Sequence, residues 1–273
     1  MPGDERPPKH RVRRAGEEAG PDRAEGRSDS SDASRTAREL DDLLALLAGG
    51  ELEVLGRLPR ASNATLLARV REGGREARAV YKPRAGEAPL WDFPEGTLCA
   101  REVAAFLVAR EPGWPNVPPT VLRDGPLGVG SVQLFVEHDP GEHALTLADR
   151  YPDEFRRIVA FDVVVNNADR KAGHCLLGVD GRIHAVDHGV CFSPEPKLRT
   201  VLWDYVGEEL PPPLVTDLRR LAGELRDGPL GRRVADLLSE REARATAVRA
   251  ERLAEGGRFP GPGPERPYPW PLL

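Results

Sequence analysis

Lysine is scarce in this chain: only Lys9, Lys82, Lys171 and Lys197 stand among 39 basic side chains. Arginine is therefore the default cation, and a position that keeps lysine asks for a compact charge on a flexible stem. Cysteine is nearly as rare. Cys99, Cys175 and Cys191 are odd in number and not in metal-ligand spacing, which excludes a disulfide framework and a zinc ribbon. They read as small core residues of a chain kept in a reducing cytoplasm. No apolar run approaches the ~20 residues of a membrane span, and the stretch MPGDERPPKHRVRR lacks the apolar centre of a signal peptide. Neither a basic amphipathic helix nor a lipidation motif is present to recruit the chain to a bilayer. A net charge of −5 removes any global attraction to nucleic acid. These absences leave a cytoplasmic protein with no nucleic-acid partner and no integral membrane segment.

What is present centres on residues 161–192, FDVVVNNADRKAGHCLLGVDGRIHAVDHGVCF. An apolar run enters a polar loop, then two short apolar segments flank Asp180-Gly181, a strong hairpin signal. Asp169 falls in the loop before that hairpin and Asp187 just after its second strand. Two carboxylates on neighbouring loops suit a metal–phosphate site, one positioning or deprotonating a hydroxyl and the other holding Mg²⁺.

The residues Asn167-Ala-Asp169-Arg170, D-R-x-x-x-H from Asp169 to His174, V-D-H-G from Val186 to Gly189 and Gly189-x-x-Phe192 resemble a known family. It is the phosphatidylinositol 3-/4-kinase-like superfamily, in its bacterial form. The likeness is nearest the type II phosphatidylinositol 4-kinase branch, with the HipA-like kinases more distant, and it covers about Leu52 to Tyr205. The resemblance implies a catalytic Asp169, an Asp187 that chelates Mg²⁺, and Arg170 and Lys171 neutralising the transferred phosphate, with Asn167 bracing the loop. It also implies that Lys82 reaches the α/β-phosphates and that Glu102, twenty residues on, pairs with it. Ser62 and Asn63, in a short polar turn, would cover the phosphates, and backbone groups near Val136, Glu137 and His138 would hold adenine. An ordinary hairpin at Ser62-Asn63 stays open beside that reading. The departure is His174, where the family carries asparagine. An imidazole is a softer ligand that suits Mn²⁺ better than Mg²⁺, so the number of metals is open.

The rest of the chain fits this frame. Residues 1–36 have almost no large apolar side chains and read as a disordered tail. A leucine-rich helix from Thr36 stops at Gly49-Gly50. Three strands separated by tight turns follow, ending in AVYKP with Lys82, then a helix over TLCAREVAAFLVAREPG with Val103, Phe106 and Leu107 on one face. Two strands around Asp124-Gly125 lead to the helix DEFRRIVAFDVVVNN. Beyond the motif, leucines 214, 218, 221 and 225 mark one helix, and residues 229–255 read as a second, continuous one. The Pro/Gly-rich stretch 256–273 reads as extended.

The expected fold is α+β and two-lobed, of the atypical protein-kinase type. An antiparallel-sheet small lobe covers 37–138 and a mainly helical large lobe covers 139–255. The expected function is transfer of the γ-phosphate of ATP, with Mg²⁺ or Mn²⁺, to a hydroxyl of a lipid, protein or small molecule. The competing readings are an ATP-binding pseudokinase acting as a regulatory module and a protein nucleotidyltransferase.

Overall fold

The computed structural model describes residues 28–59, 63–264 and 266–273. The chain divides into two compact units, Met1–Glu39 and Leu40–Leu273. In the first, the described residues form the opening turns of helix α1 (Ser28–Gly49), where Arg35 and Glu39 stand 3.7 Å apart at i,i+4 spacing. The helix begins ahead of Thr36 and already covers residues 28–36 of the expected disordered tail. Apolar periodicity cannot mark such a start, because 28–36 has almost no apolar side chain to show it. Residues 1–27 of that tail lie outside the described residues.

The second unit carries every other element. Five antiparallel strands form one sheet in the order β1-β2-β3-β5-β4: β1 Glu51–Arg57, β2 Leu66–Glu72, β3 Arg75–Pro83, β4 Thr120–Gly125 and β5 Gly128–Leu134. Alternation at period two puts Leu66, Ala68 and Val70 of β2 and Ala79 and Tyr81 of β3 inward, with Val132 of β5 and Leu46 and Leu47 of α1. Lys82 follows Tyr81, so the same alternation turns it to the other side. Gly50, just after α1, leaves no room for a side chain: a Cβ there would lie 2.7 Å from Val70 Cγ1 and 2.8 Å from Leu46 O.

Helix α2 (Leu98–Arg110) is buried along its whole length from Leu98 to Ala109, not on one face as its periodicity suggests. The reason is its position, with β4 and β5 on one side and a large-lobe helix on the other. Its N-terminus has no side-chain cap of its own. Glu87, eleven and twelve residues back, accepts the Leu98 and Cys99 amides at 3.1 and 2.8 Å.

The large lobe contains α3 (Ala144–Leu147), α4 (Pro152–Val165), the hairpin β6 (Cys175–Leu177) and β7 (Ile183–Ala185), α5 (Pro212–Arg226), α6 (Pro229–Leu237) and α7 (Glu240–Gly256). Phe155, Ile158, Phe161, Leu218, Leu221 and Val234 are among the side chains of its single large core. The helix expected over 229–255 is broken after Leu237. Ser239 caps α7 by accepting the Glu242 amide at 3.3 Å, and S-x-x-E is a helix-start signature that the leucine pattern hides. All three cysteines are buried, as expected, and burial pushes the Cys175 thiol up to about 12.

After α7 the chain runs extended, buries Phe259 and is stitched to the large lobe. Pro267 O accepts the Thr200 amide at 3.0 Å and the Trp203 indole N–H at 3.1 Å, and Leu272 O accepts the Ala172 amide at 2.9 Å. Among the described residues no helix is long and apolar enough to cross a membrane.

Candidate active site

Helix α4 delivers the chain to the first loop. It ends on Asn166, which takes a left-handed conformation (φ 51°) and caps the helix. The Asn166 amide nitrogen donates to Ser193 O at 2.8 Å and Glu195 O at 2.6 Å, tying the end of α4 to the chain beyond Asp187. Asn167 follows and is fully buried. It donates to Asp162 Oδ1 at 2.9 Å and accepts the Asp169 amide at 2.9 Å. Further hydrogen bonds join the two loops directly: Ala168 N to Val190 O at 2.9 Å and Val186 N to His174 O at 3.0 Å. Asp169 and Asp187 are thereby held by one web of backbone bonds.

Arg170 departs from its expected role. Its side chain is 0 % exposed and its guanidinium forks onto Asp162 at 2.8 and 2.9 Å. It also donates to Val186 O at 2.9 Å and lies 2.7 Å from His188 Nε2. A cation enclosed in this way cannot reach a transferred phosphate; it is the post around which both loops wind. Burial works against its charge, and Asp162 outweighs burial, holding the guanidinium above the usual arginine range. The signal available in the sequence was Asp162 itself, a lone charge in the apolar run FDVVV. His188, which the sequence left without a role, is also fully buried. Its backbone N–H donates to Glu102 Oε2 at 3.1 Å and its ring meets Phe161 edge-on.

The cleft side of the site is built on Lys82. Its ammonium donates to Glu102 Oε1 of α2 and to Asp187 Oδ1, the latter at 2.9 Å. Burial would strip the proton from Lys82, but Asp187 and Glu102 outweigh it and hold the ammonium above the usual lysine range. Desolvation likewise opposes charge on Asp187, and Lys82 overrides it, keeping the carboxyl well below the usual carboxylate range. Asp187 has φ 60°, a strained left-handed conformation for a non-glycine residue, and its side chain is 47 % exposed. Lys171 stands 3.2 Å from Asp169 Oδ2. Burial pushes the Asp169 carboxyl up to about 6; Lys171 opposes that rise and the Asp187 charge adds to it.

His174 faces Asp187, with Nε2 3.3 Å from Oδ2, and its Nδ1 lies 3.5 Å from the Lys171 N–H. Burial lowers its pKa to about 4, so the ring is neutral. The tautomer with the proton on Nε2 serves both neighbours, and in it His174 orients Asp187. Among the described residues no group of three or more His, Cys, Asp or Glu side chains is arranged to hold a metal ion.

Of the expected phosphate turn, Ser62 lies outside the described residues. Asn63 Oδ1 accepts the Ala88 amide at 2.8 Å, which ties Asn63 to the loop after β3. Glu137 pairs with Arg78 through its side chain, and its carbonyl accepts the Val179 amide at 2.9 Å. His138 forms a bridge with Gly178, and its Nδ1 lies 2.9 Å from Val136 O. The expected adenine strip thus rests against the β6–β7 hairpin.

Comparison with known proteins finds several similar chains. The family model described as phosphatidylinositol 3- and 4-kinase matches residues 122–227. Protein Rv2133c of Mycobacterium tuberculosis is 42% identical, over 85% of this chain and 96% of its own length. Phosphatidylinositol 4-kinase gamma 4 of Oryza sativa subsp. japonica is 34% identical over 41% of this chain, a match that spans 23% of the plant protein. The crystal structure of a Helicobacter pylori proinflammatory kinase, CtkA, aligns with 76% of this chain and 98% of its own at a TM-score of 0.43 and 13% identity.

Proposed function

Because the chain belongs to the phosphatidylinositol 3- and 4-kinase-like superfamily, we propose that it is an ATP-dependent phosphotransferase acting on a hydroxyl. The observation that carries this reading is Lys82, bonded at once to Glu102 of α2 and to Asp187 of the loop beyond β7, with Asp169 on the adjoining loop. A protonated amine fixed by two carboxylates from opposite lobes is suited to gripping phosphate oxygens.

Magnesium fits Asp187 by the chemistry of its donors. Half-exposed, it has one oxygen on Lys82, and Mg²⁺ needs only one or two protein carboxylates when phosphates and water complete its shell. When bound, the ion neutralises charge on the phosphates. His174 would hold Asp187 in place for it. On this reading Asp169 takes the proton of the acceptor hydroxyl as the acceptor oxygen bonds to the γ-phosphorus. The bond from that phosphorus to the β–γ bridging oxygen breaks, and ADP leaves. Lys171 steadies the ionised form of Asp169, and backbone groups around Val136 to His138 hold adenine.

A second reading is a nucleotide-binding module without turnover. It is favoured by His174, whose proton faces Asp187 where the family supplies a metal ligand. One experiment separates the two. Purified protein is incubated with γ-labelled ATP and Mg²⁺ or Mn²⁺ beside Asp169→Asn and Asp187→Asn variants, with ATP-dependent thermal stabilisation followed in parallel. General-base catalysis is worth about 10²–10⁴-fold, so phosphotransfer predicts that loss in Asp169→Asn with ATP stabilisation intact. Stabilisation by ATP with no label released from the unsubstituted chain supports the second reading; no stabilisation with either metal rejects both.

A further inference from the structure

Where α7 faces the chain beyond Asp187, the large lobe holds a groove that none of the residues assigned to phosphotransfer lines. It encloses about 730 Å³. Arg241, Arg244, Arg249 and Arg252 of α7 line one side, and Pro194 and Pro196 stand on the other. At 3.6 residues per turn the four arginines share one face of the helix, and from Arg241 to Arg252 that face runs about 16 Å.

These arginines are only partly neutralised. Arg241 lies 2.6 Å from Glu195 and Arg244 lies 3.6 Å from Glu240, and both pairs are exposed and therefore weakly held. Arg252 is exposed and has no ion pair or hydrogen bond among the described residues. Arg249 is half-buried and donates only to uncharged acceptors: Val164 O at 2.7 Å, Ser193 O at 3.2 Å and Thr246 Oγ1 at 3.0 Å. Burial pulls its guanidinium down to about 10, as expected of a cation short of counter-charge. Glu242 offsets that only in part, being already bonded to Arg101 at 2.7 Å. Two guanidiniums in one groove thus have no carboxylate in contact, on a chain whose net charge is −5.

The shape selects among anions. The volume corresponds to about 24 water molecules, more than a single small anion fills. A nucleic acid would carry its charge past the groove and over a chain that is acidic as a whole. An extended peptide, at about 3.3 Å per residue, needs only about five residues to run the length of the arginine face. Its carboxylates match guanidinium forks in pairs. Ala245 and Val248, on the same face of α7, give its carbon stems an apolar floor. Pro194 and Pro196 have no backbone N–H to offer, so the charge recognition falls to the arginines.

We propose that this groove docks an acidic, extended segment of a partner protein. Arg249 and Arg252 are its standing contacts, and Arg241 and Arg244 exchange their weak internal partners for carboxylates of the segment. The assignment is independent of the phosphotransfer reading. It does place the partner against the catalytic loops, because Arg249 and Asn166, which caps α4, both donate to Ser193 O.

The test is a binding measurement on the full chain. A fluorescently labelled peptide of ten glutamates is titrated with the protein and followed by anisotropy, with ten glutamines as the uncharged control. A labelled ten-base thymidine oligonucleotide is titrated in parallel. Each titration is repeated with Arg252→Glu, with Arg244→Glu and with Arg233→Glu, the last an exposed arginine of α6 that does not line the groove. All three side chains are exposed, so the variants should melt with the parent. Reversing a charge that bonds a carboxylate predicts at least about tenfold weaker peptide binding in Arg252→Glu and in Arg244→Glu. Arg233→Glu should bind as the parent does, the glutamine peptide should not bind, and added salt should weaken the complex. Glutamate-peptide binding that is absent, or that survives both groove variants unchanged, overturns the proposal. Tighter, Arg252-dependent binding of the oligonucleotide would also overturn it and give the groove to a nucleic acid.

Discussion

Asp169 has charged neighbours that pull in opposite directions. Burial pushes its carboxyl up to about 6, Lys171 resists, and Asp187 reinforces the rise. A base must be ionised to accept a proton, so the rate of transfer is expected to climb with pH through about 6 and then level off. A pH–rate profile checks this, and Lys171→Met should move the rise to higher pH. Stability carries the opposite sign. Between the unfolded value near 4 and about 6, the folded chain binds the extra proton, so raising the pH through that window weakens the fold. Arg170 belongs to the same loop with a different duty. Arg170→Met leaves Asp162 charged and buried with its main partner gone, and a loss of about 3–5 kcal/mol in urea unfolding is expected. Sequence reasoning named Arg170 but misread its task, because a motif gives a residue's order along the chain and not the direction its side chain takes. His188 was invisible to it, since its hydrogen bond to Glu102 is made by backbone.

Among the elements, α2 shows what periodicity can and cannot say. The extent of the helix was legible from Thr97 to Pro112-Gly113, whereas its burial on all sides was not, since that depends on which neighbours arrive from β4, β5 and α6. Its start is held from a distance by Glu87, whose carboxylate takes two amides that nothing on the helix itself satisfies. Glu87→Ala should cost about 1 kcal/mol. Because α2 carries Glu102, the variant should also reduce thermal stabilisation by ATP, and a melt with and without nucleotide measures both effects. The strands were the most legible part. Alternating residues and tight turns marked β1 to β5 closely, and Asp180-Gly181 marked the hairpin between Asp169 and Asp187. The break between α6 and α7 was written in Ser239 and Glu242, yet arginine and alanine on both sides kept a helical character that masked it.

At the scale of the whole molecule, Arg101 of α2 is one of the ties between lobes. Its side chain is 1 % exposed, and it donates to Glu242 of α7 at 2.7 Å and to Cys191 O at 2.7 Å. Glu242 is in turn bonded to Ser239, so one chain of contacts runs from the helix that orients Lys82 to the cap of α7. Arg101→Met should lower the melting temperature and split a single unfolding transition into two, as differential scanning calorimetry would register. No local pattern announces such a contact, because Arg101 and Glu242 lie 141 residues apart. The two-lobed α+β arrangement itself was legible, since the order Lys82, Glu102, Asp169, Asp187 already implies a sheet and a helix followed by two loops. The scarcity of lysine takes on a further meaning once the lobes are assembled. All three described lysines stand in ion pairs, Lys82 with Glu102 and Asp187, Lys171 with Asp169 and Lys197 with Asp92, and their side chains are only 19%, 13% and 10% exposed. Arginine does not react with acylating reagents, so a protein this poor in free amines should resist them over most of its surface. Whatever acylation does reach Lys82 or Lys171 would land on the catalytic cleft, and ATP should slow it.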